Sequence, residues 1–224
     1  MIEKDFVVTK SSQLHINQIM RLQICYDHIV KCSEYAAIAH KEQFRKDKKT
    51  PYIVHPARVA MLVAQSKISS TETICAAWLH DVIEDCSEDS VGQIVKNHED
   101  GLHDFLTLTF DIREITDVMD MVIDLTKDPD FDRDKSVRNK IYYQHLNKTG
   151  RDASIIIKLC DRIDNVLTVQ CFSPDGQKYY LKDTVTMIRI LGQRAKQIDG
   201  DVLGILKTVL RNQSKMCGVS IKEM

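Results

Sequence analysis

Residues 78–85 read WLHDVIED, so His80, Asp81, Glu84 and Asp85 crowd a short stretch that opens on aromatic and aliphatic side chains. Ionisable groups this close to an apolar segment cost stability unless they are paired or bound. Imidazoles and carboxylates together are what a divalent cation takes as ligands. Two more residues of those types stand elsewhere: His55, just ahead of Pro56, and Asp161, in KLCDRIDN. Such a mixture of N and O donors, with room for waters, suits six-coordinate Mn²⁺ or Fe²⁺ and is compatible with Zn²⁺. On a continuous helix His80 and Asp81 point about 100° apart and would share an ion only from the helix rim. Glu84 follows His80 by one turn and Asp85 follows Asp81 by one turn, which puts both carboxylates on the ligand side. There a carboxylate can take a proton from water or deliver one to a leaving group, while a cation lowers the pKa of the water. Taken singly, each piece has a plainer reading: a surface His-Asp pair, a His at a helix start, an Asp paired with its neighbours Lys158 or Arg162.

These residues need helices to hold them. Leu14, Ile19, Leu22, Tyr26, Ile29 and Val30 recur at helical spacing after Ser11 and Ser12, which read as an N-cap pair, and the pattern runs to Phe44 as one helix or two. RKDKKTPYIVHP is a basic loop, and Pro56 suits the first turn of the next helix. TETICAAWLHDVIED reads as one helix, 112–125 as another, and TKDPDFDRDK as a charged loop broken by Pro129. From Asp152, a candidate cap, helical spacing runs through Phe172; SPDGQ reads as a turn, and DG at 199–200 ends the following helix before a short final one.

With 224 residues the chain can bury a core of its own, and with only 8 Gly and 4 Pro it is short of the turn formers that an all-β sandwich needs. A net charge of -1 gives no ground for a nucleic-acid or membrane partner, and no stretch approaches the ~18 apolar residues that span a bilayer. Seven cysteines, an odd number without a CxxC pair, read as small buried hydrophobes in a reducing compartment. MIEKDFVVTK has no apolar run after its charges, which argues against a secretory signal and for a cytoplasmic protein.

In order, AAIAHKEQFRKDKKTPYIVHP, AAWLHDVIED and KLCDRIDN resemble the HD-domain metal-dependent phosphohydrolases, closest to the branch that hydrolyses (p)ppGpp, small alarmone hydrolases included. The likeness spans roughly residues 30–170 and implies an HD-domain helical bundle. Together with the helical periodicity this gives an all-α fold with the bundle over 27–199, an extra N-terminal helix in 1–26 and a C-terminal helix and tail in 200–224. The N-terminal helix and the segment after about 175 match little in that family. It further implies Mn²⁺ on His55, His80, Asp81 and Asp161, with Glu84 and Asp85 activating and placing the attacking water. Arg45 and Lys46 match residues near the substrate's phosphates; Tyr52, Lys158 and Asn165 match the nucleotide side of the pocket, and Lys127 fits beside it. A pocket of carboxylates admits a pyrophosphate group only with cations at hand, and the run at 45–49 supplies them. Lys48 and Lys49 read as solvated charges, and His40 as structural. Asp164 departs from the branch, which carries a non-acidic group there, and is expected to affect base choice or to pair with Arg162 or a cation. HDFLTLTF at 103–110 looks like an insertion. The expected activity is Mn²⁺-dependent release of the 3′-diphosphate of a (p)ppGpp-type alarmone as pyrophosphate. Alternatives are hydrolysis of (p)ppApp or another phosphorylated nucleotide, and alarmone binding without turnover. The expected partner is a small nucleotide, with a second copy of the chain left open.

Overall fold

The computed structural model describes residues 10–86, 98–127 and 134–221; most of the charged loop expected around Pro129 lies outside them. The fold is all-α, as expected, and among the described residues the only β feature is an isolated bridge between Phe44 and Pro51. None of the described helices is long and apolar enough to cross a membrane.

Helix α1 (Lys10–Ala39) is one element and already contains Ser11 and Ser12, which therefore do not cap it; no Gly or Pro interrupts it. Its Cys32, Tyr35, Ala36 and Ala39 are buried, at the spacing of one helix face, and α1 packs on α3. Helix α2 (Val54–Ala64) carries Pro56 in its first turn, where a missing N–H costs nothing. The expected single helix over 71–85 is two. α3 (Thr71–Leu79) starts at a Ser70–Thr73 capping box and stops at Leu79, and α4 (Val82–Asp85) follows. Between them Asp81 adopts φ -101, ψ -3, a bridge-region conformation that turns the chain.

Helix α5 (His98–Thr107) takes in most of the stretch read as an insertion. Leu106 and Phe110 are buried, Phe105 stacks on Tyr35 at 4.4 Å, and Phe110 lies 4.3 Å from His28, so this segment is part of the core. Helix α6 (Ile112–Leu125) opens on an Asp111–Glu114 capping box, and α7 (Lys135–Thr149) on an Asp134 cap.

Helix α8 (Asp152–Leu167) is the centre: Ile155, Ile156, Ile157, Leu159, Cys160, Ile163 and Val166 are all buried, and α2, α6, α7 and α9 pack around it. A helix apolar on most of its sides has to be surrounded. Asp152 is its first residue rather than its cap, and pairs with Arg194 at 2.7 Å. α8 ends at Leu167, short of the expected Phe172, and a 3-10 turn over Val169–Cys171 follows. SPDGQ is a helix start and not a free turn: Ser173 accepts a hydrogen bond from the Gly176 N–H and Pro174 opens α9 (Pro174–Met216). The break expected at 199–200 is a kink within α9, at Asp199 (φ -150, ψ 92). The Asp199 carboxylate accepts from the Asp201 and Val202 N–H groups, capping the second half, and from the Lys67 N–H at 2.8 Å.

Candidate metal-centred active site

Two helices and a corner deliver the candidate ligands: α2 brings His55, the α3–α4 corner brings His80 and Asp81, and α8 brings Asp161. The corner changes the geometry expected from an unbroken helix. His80 caps the C-terminal end of α3 and Asp81 precedes α4, so both can face one point without sharing a helix rim. His55 Nε2 lies 3.2 Å from Asp161 Oδ1 and 3.4 Å from Asp81 Oδ2, and His80 Nε2 lies 3.0 Å from Asp81 Oδ2. His55, His80 and Asp161 each offer a ligand atom within 4.8 Å of the others, and Asp81 stands against both imidazoles.

The imidazoles are set up to coordinate. His80 Nδ1 bonds the Ala77 carbonyl at 2.8 Å and His55 Nδ1 bonds Asp164 Oδ2 at 2.7 Å. A carbonyl or a carboxylate accepts only from N–H, so both rings carry their proton on Nδ1 and turn a lone pair outward at Nε2. Both Nε2 atoms are buried without a hydrogen-bond partner, a costly arrangement that a cation on those lone pairs would satisfy. The donor set therefore fits a divalent ion.

The electrostatics point the same way. Burial opposes ionisation of Asp161, yet Lys158, with Nζ 2.9 Å from Asp161 Oδ2, and His55 hold its pKa well below the usual carboxylate range. Asp81 is likewise held well below, against its burial, by His80 and His55. Burial pulls the His55 pKa down, but Asp161, Asp164 and Asp81 together carry it above the usual imidazole value, so without a cation Nε2 gains a second proton, which a metal would displace to use the lone pair. Asp85 differs: burial and the negative charge of Asp81 push its pKa up, and the Tyr52 hydroxyl partly offsets them. That hydroxyl, 2.7 Å from both Asp81 Oδ2 and Asp85 Oδ2, ties the candidate ligand Asp81 to a second carboxylate. Glu84 pairs with Lys127, whose Nζ sits 2.9 Å from Glu84 Oε1.

The remaining sequence-derived residues divide. Tyr52, Glu84, Asp85, Lys127, Lys158 and Asn165 line one open cleft with Asp81 and Asp161. Asn165 donates through Nδ2 to Asp161. Arg45 and Lys46 instead line a smaller neighbouring pocket with Arg58 and Thr168. Arg45 Nη2 reaches Asn165 Oδ1 at 2.9 Å, Asp164 Oδ2 at 3.2 Å and Thr168 Oγ1 at 3.3 Å, which links the two pockets. The basic loop is itself ordered: Asp47 accepts from the Lys49 and Thr50 N–H groups, and Lys48 takes φ 57. His40 is buried, 2.8 Å from Gln43 and stacked on Tyr52 at 4.6 Å.

Two expectations for Asp164 are corrected. It is 1% exposed and faces His55, Arg45 and Arg58, so it cannot meet a nucleobase. Arg162 is not its partner but is buried against Asp183 at 3.0 Å and over the Tyr180 ring at 4.3 Å. A further wall of the cleft was missed: Lys135 and Asn139 from α7 with Tyr179 and Asp183 from α9. Only the Tyr179–Tyr180 pair one turn before Asp183 hints at it in the sequence.

The HD-domain family pattern matches residues 32–195. A guanosine-3′,5′-bis(diphosphate) 3′-pyrophosphohydrolase of Drosophila melanogaster is 30% identical over 151 residues, 66% of this chain and 72% of that one. The enzyme so named in Aquifex aeolicus is 32% identical over 169 residues, 75% of this chain but only 21% of its own. A probable one in Mycoplasma pneumoniae is 28% identical over 192 residues, 83% of this chain and 23% of its own. The chain thus spans less than a quarter of the long bacterial relatives. The solved structure of a metazoan SpoT orthologue, described as hydrolysing ppGpp, superposes with a TM-score of 0.64 at 22% identity, covering 83% of this chain and 95% of that one, a likeness of fold. With the pattern covering most of its length, the chain belongs to the HD-domain family.

Proposed function

We propose that the chain is a Mn²⁺-dependent hydrolase that removes the 3′-diphosphate of a (p)ppGpp-type alarmone, giving GDP or GTP and pyrophosphate. The observation that carries this reading is the pair of buried, unsatisfied Nε2 atoms of His55 and His80 facing Asp81 and Asp161, which line the cleft. The names of the Drosophila and Aquifex relatives supply the substrate class.

A divalent ion held by these four residues would supply Lewis-acid activation of water and phosphate oxygens. The rest falls to the chain. Asp85, with its raised pKa, is suited to take the proton from the water whose oxygen attacks the 3′ phosphorus. As the bond from that phosphorus to the 3′ oxygen breaks, that proton passes to the 3′ oxygen, which leaves as the hydroxyl of GDP or GTP, and the water oxygen departs in the pyrophosphate. Glu84, held by Lys127, fixes the water's position beside it. Lys127 and Lys158 offset carboxylate charge in the cleft, and Arg45 and Lys46 present cations to the diphosphate from the neighbouring pocket. Tyr52 and Asn165 face the nucleotide. The catalytic unit in this reading is 27–199, with 1–26 and 200–224 flanking it, in a cytoplasmic protein.

The test is product analysis with ppGpp and Mn²⁺: wild-type protein releases pyrophosphate, while Asp85→Asn and His80→Ala do not. Intact, folded, Mn²⁺-loaded wild type that leaves ppGpp uncleaved would sink the proposal. Tight nucleotide binding under those conditions would make the chain an alarmone sensor.

A further inference from the structure

We infer that Asp164 is a positioning residue that sets the affinity of the site for a divalent cation, by holding the His55 ring from behind while Arg45 and Arg58 hold Asp164. The inference rests on reading His55 as a metal ligand.

Asp161 and Asp164 are three residues apart on α8 and so share a face. Between them lies the His55 ring, with Nε2 3.2 Å from Asp161 Oδ1 and Nδ1 2.7 Å from Asp164 Oδ2. One helix face thus supplies both a neighbouring ligand and the group that fixes the imidazole's tautomer and tilt. A carboxylate behind a ligating imidazole also makes the ring a stronger donor, and losing such a partner typically weakens metal binding about 10–100-fold. Mere packing would not call for a carboxylate here. At 1% exposure its charge is tolerable only if paired, and Arg45 Nη2 at 3.2 Å and Arg58 Nη1 at 3.5 Å pair it. Arg45 also holds Asn165, which donates to Asp161, so one guanidinium braces the supports of two ligands. The basic loop, through Arg45, is thereby tied to the metal site.

The test is Mn²⁺ titration of metal-free protein without nucleotide, followed by electron paramagnetic resonance or calorimetry, alongside the melting temperature of each metal-free variant. Asp164→Ala should weaken Mn²⁺ binding about 10–100-fold at a temperature where it is folded. Asp164→Asn should lie between Ala and wild type. Two donors converge on Oδ2 and only the half-exposed Arg58 meets Oδ1, so the amide oxygen takes the Oδ2 place and keeps the Nδ1–H tautomer without the charge. Nitrogen-15 shifts of His55 should report Nδ1 protonation in wild type and Asn, with mixed tautomers in Ala. Wild-type affinity in folded Asp164→Ala, with only its melting temperature lowered, would make Asp164 a structural residue and overturn the inference alone. Wild type that takes up no Mn²⁺ overturns the metal reading itself.

Discussion

Tyr52 donates one hydroxyl proton toward two carboxylates, Asp81 Oδ2 and Asp85 Oδ2, each 2.7 Å away. Tyr52→Phe removes that proton and little else, since the ring keeps its place on His40, 4.6 Å between centroids. A hydrogen bond to an ionised carboxylate is worth about 1.5–3 kcal/mol net. Here one hydroxyl is shared by two acceptors, and Asp85 reaches solvent at the cleft, so a little under half, about 0.7–1.4 kcal/mol, falls to Asp85. The bond favours the ionised form, and its loss pushes the already raised Asp85 pKa further up. If ionised Asp85 is the proton acceptor, activity falls as pH drops through that value, and the acid limb of kcat/KM moves to higher pH in Tyr52→Phe. At a pH on that limb the variant should run about 3–10-fold slower than wild type, and near wild-type rate on the plateau. Asp81, held far below the usual range by two imidazoles, stays ionised throughout, so Mn²⁺ affinity should barely change. The assay is pyrophosphate release against pH with both proteins saturated in Mn²⁺. An acid limb that stays put while the plateau drops would refute the reasoning and make Tyr52 a substrate contact only.

Metal removal should be read in stability as well as rate: Mn²⁺ at 100 times its Kd stabilises by about 2.7 kcal/mol, or roughly 5–11 °C for a domain of this size, an increment that chelator removes and that His80→Ala lacks. Gly150→Ala should destabilise by about 1–3 kcal/mol in denaturant unfolding, because an added Cβ would meet the Leu146 carbonyl oxygen at 2.7 Å; an unchanged midpoint would contradict the close approach of α7's end. His40 has a lowered pKa because it is buried, so the unfolded chain binds more protons below pH 6.5, and the stability due to neutral His40 is full above that pH and lost as pH falls through it. His40→Asn should therefore flatten the loss of melting temperature between pH 6.5 and 5 relative to wild type. Arg162→Met strips Asp183 of a buried partner at 3.0 Å and should cost about 3–5 kcal/mol of stability by thermal or denaturant unfolding.

What could be read without the structure was what periodicity and residue type encode. Helix content, the Pro56 start of α2, the break at 199 and the candidate ligands all show in local patterns. Boundaries were legible only where a single residue decides them. TETICAAWLHDVIED carries no Gly or Pro, and the corner at His80–Asp81 is set instead by what α3 and α4 pack against: α1, α2 and α6 for the one, α5 for the other. Ser11, Ser12 and Asp152 have the right chemistry for caps, yet each lies inside its helix, because capping propensity says nothing of whether the preceding residues can continue the turn.

Asp164 shows the limit most clearly. Next to Asn165 in a metal-ligand motif, an added carboxylate reads as a change in what the pocket recognises, because linear neighbours are taken to face the same cavity. On α8 they do not: Asp161 and Asn165 line the cleft, while Asp164 is rotated from Asn165 by about 100° and turned toward α2. Its partner His55 is 109 positions away, and its counter-charges come from the loop before that His and from Arg58 just after it. A charge that no local pattern accounts for is thus balanced entirely by tertiary contacts. Those contacts close on the one imidazole that α2 contributes to the candidate site, so a residue that looks like a change of specificity is placed to support a candidate metal ligand instead.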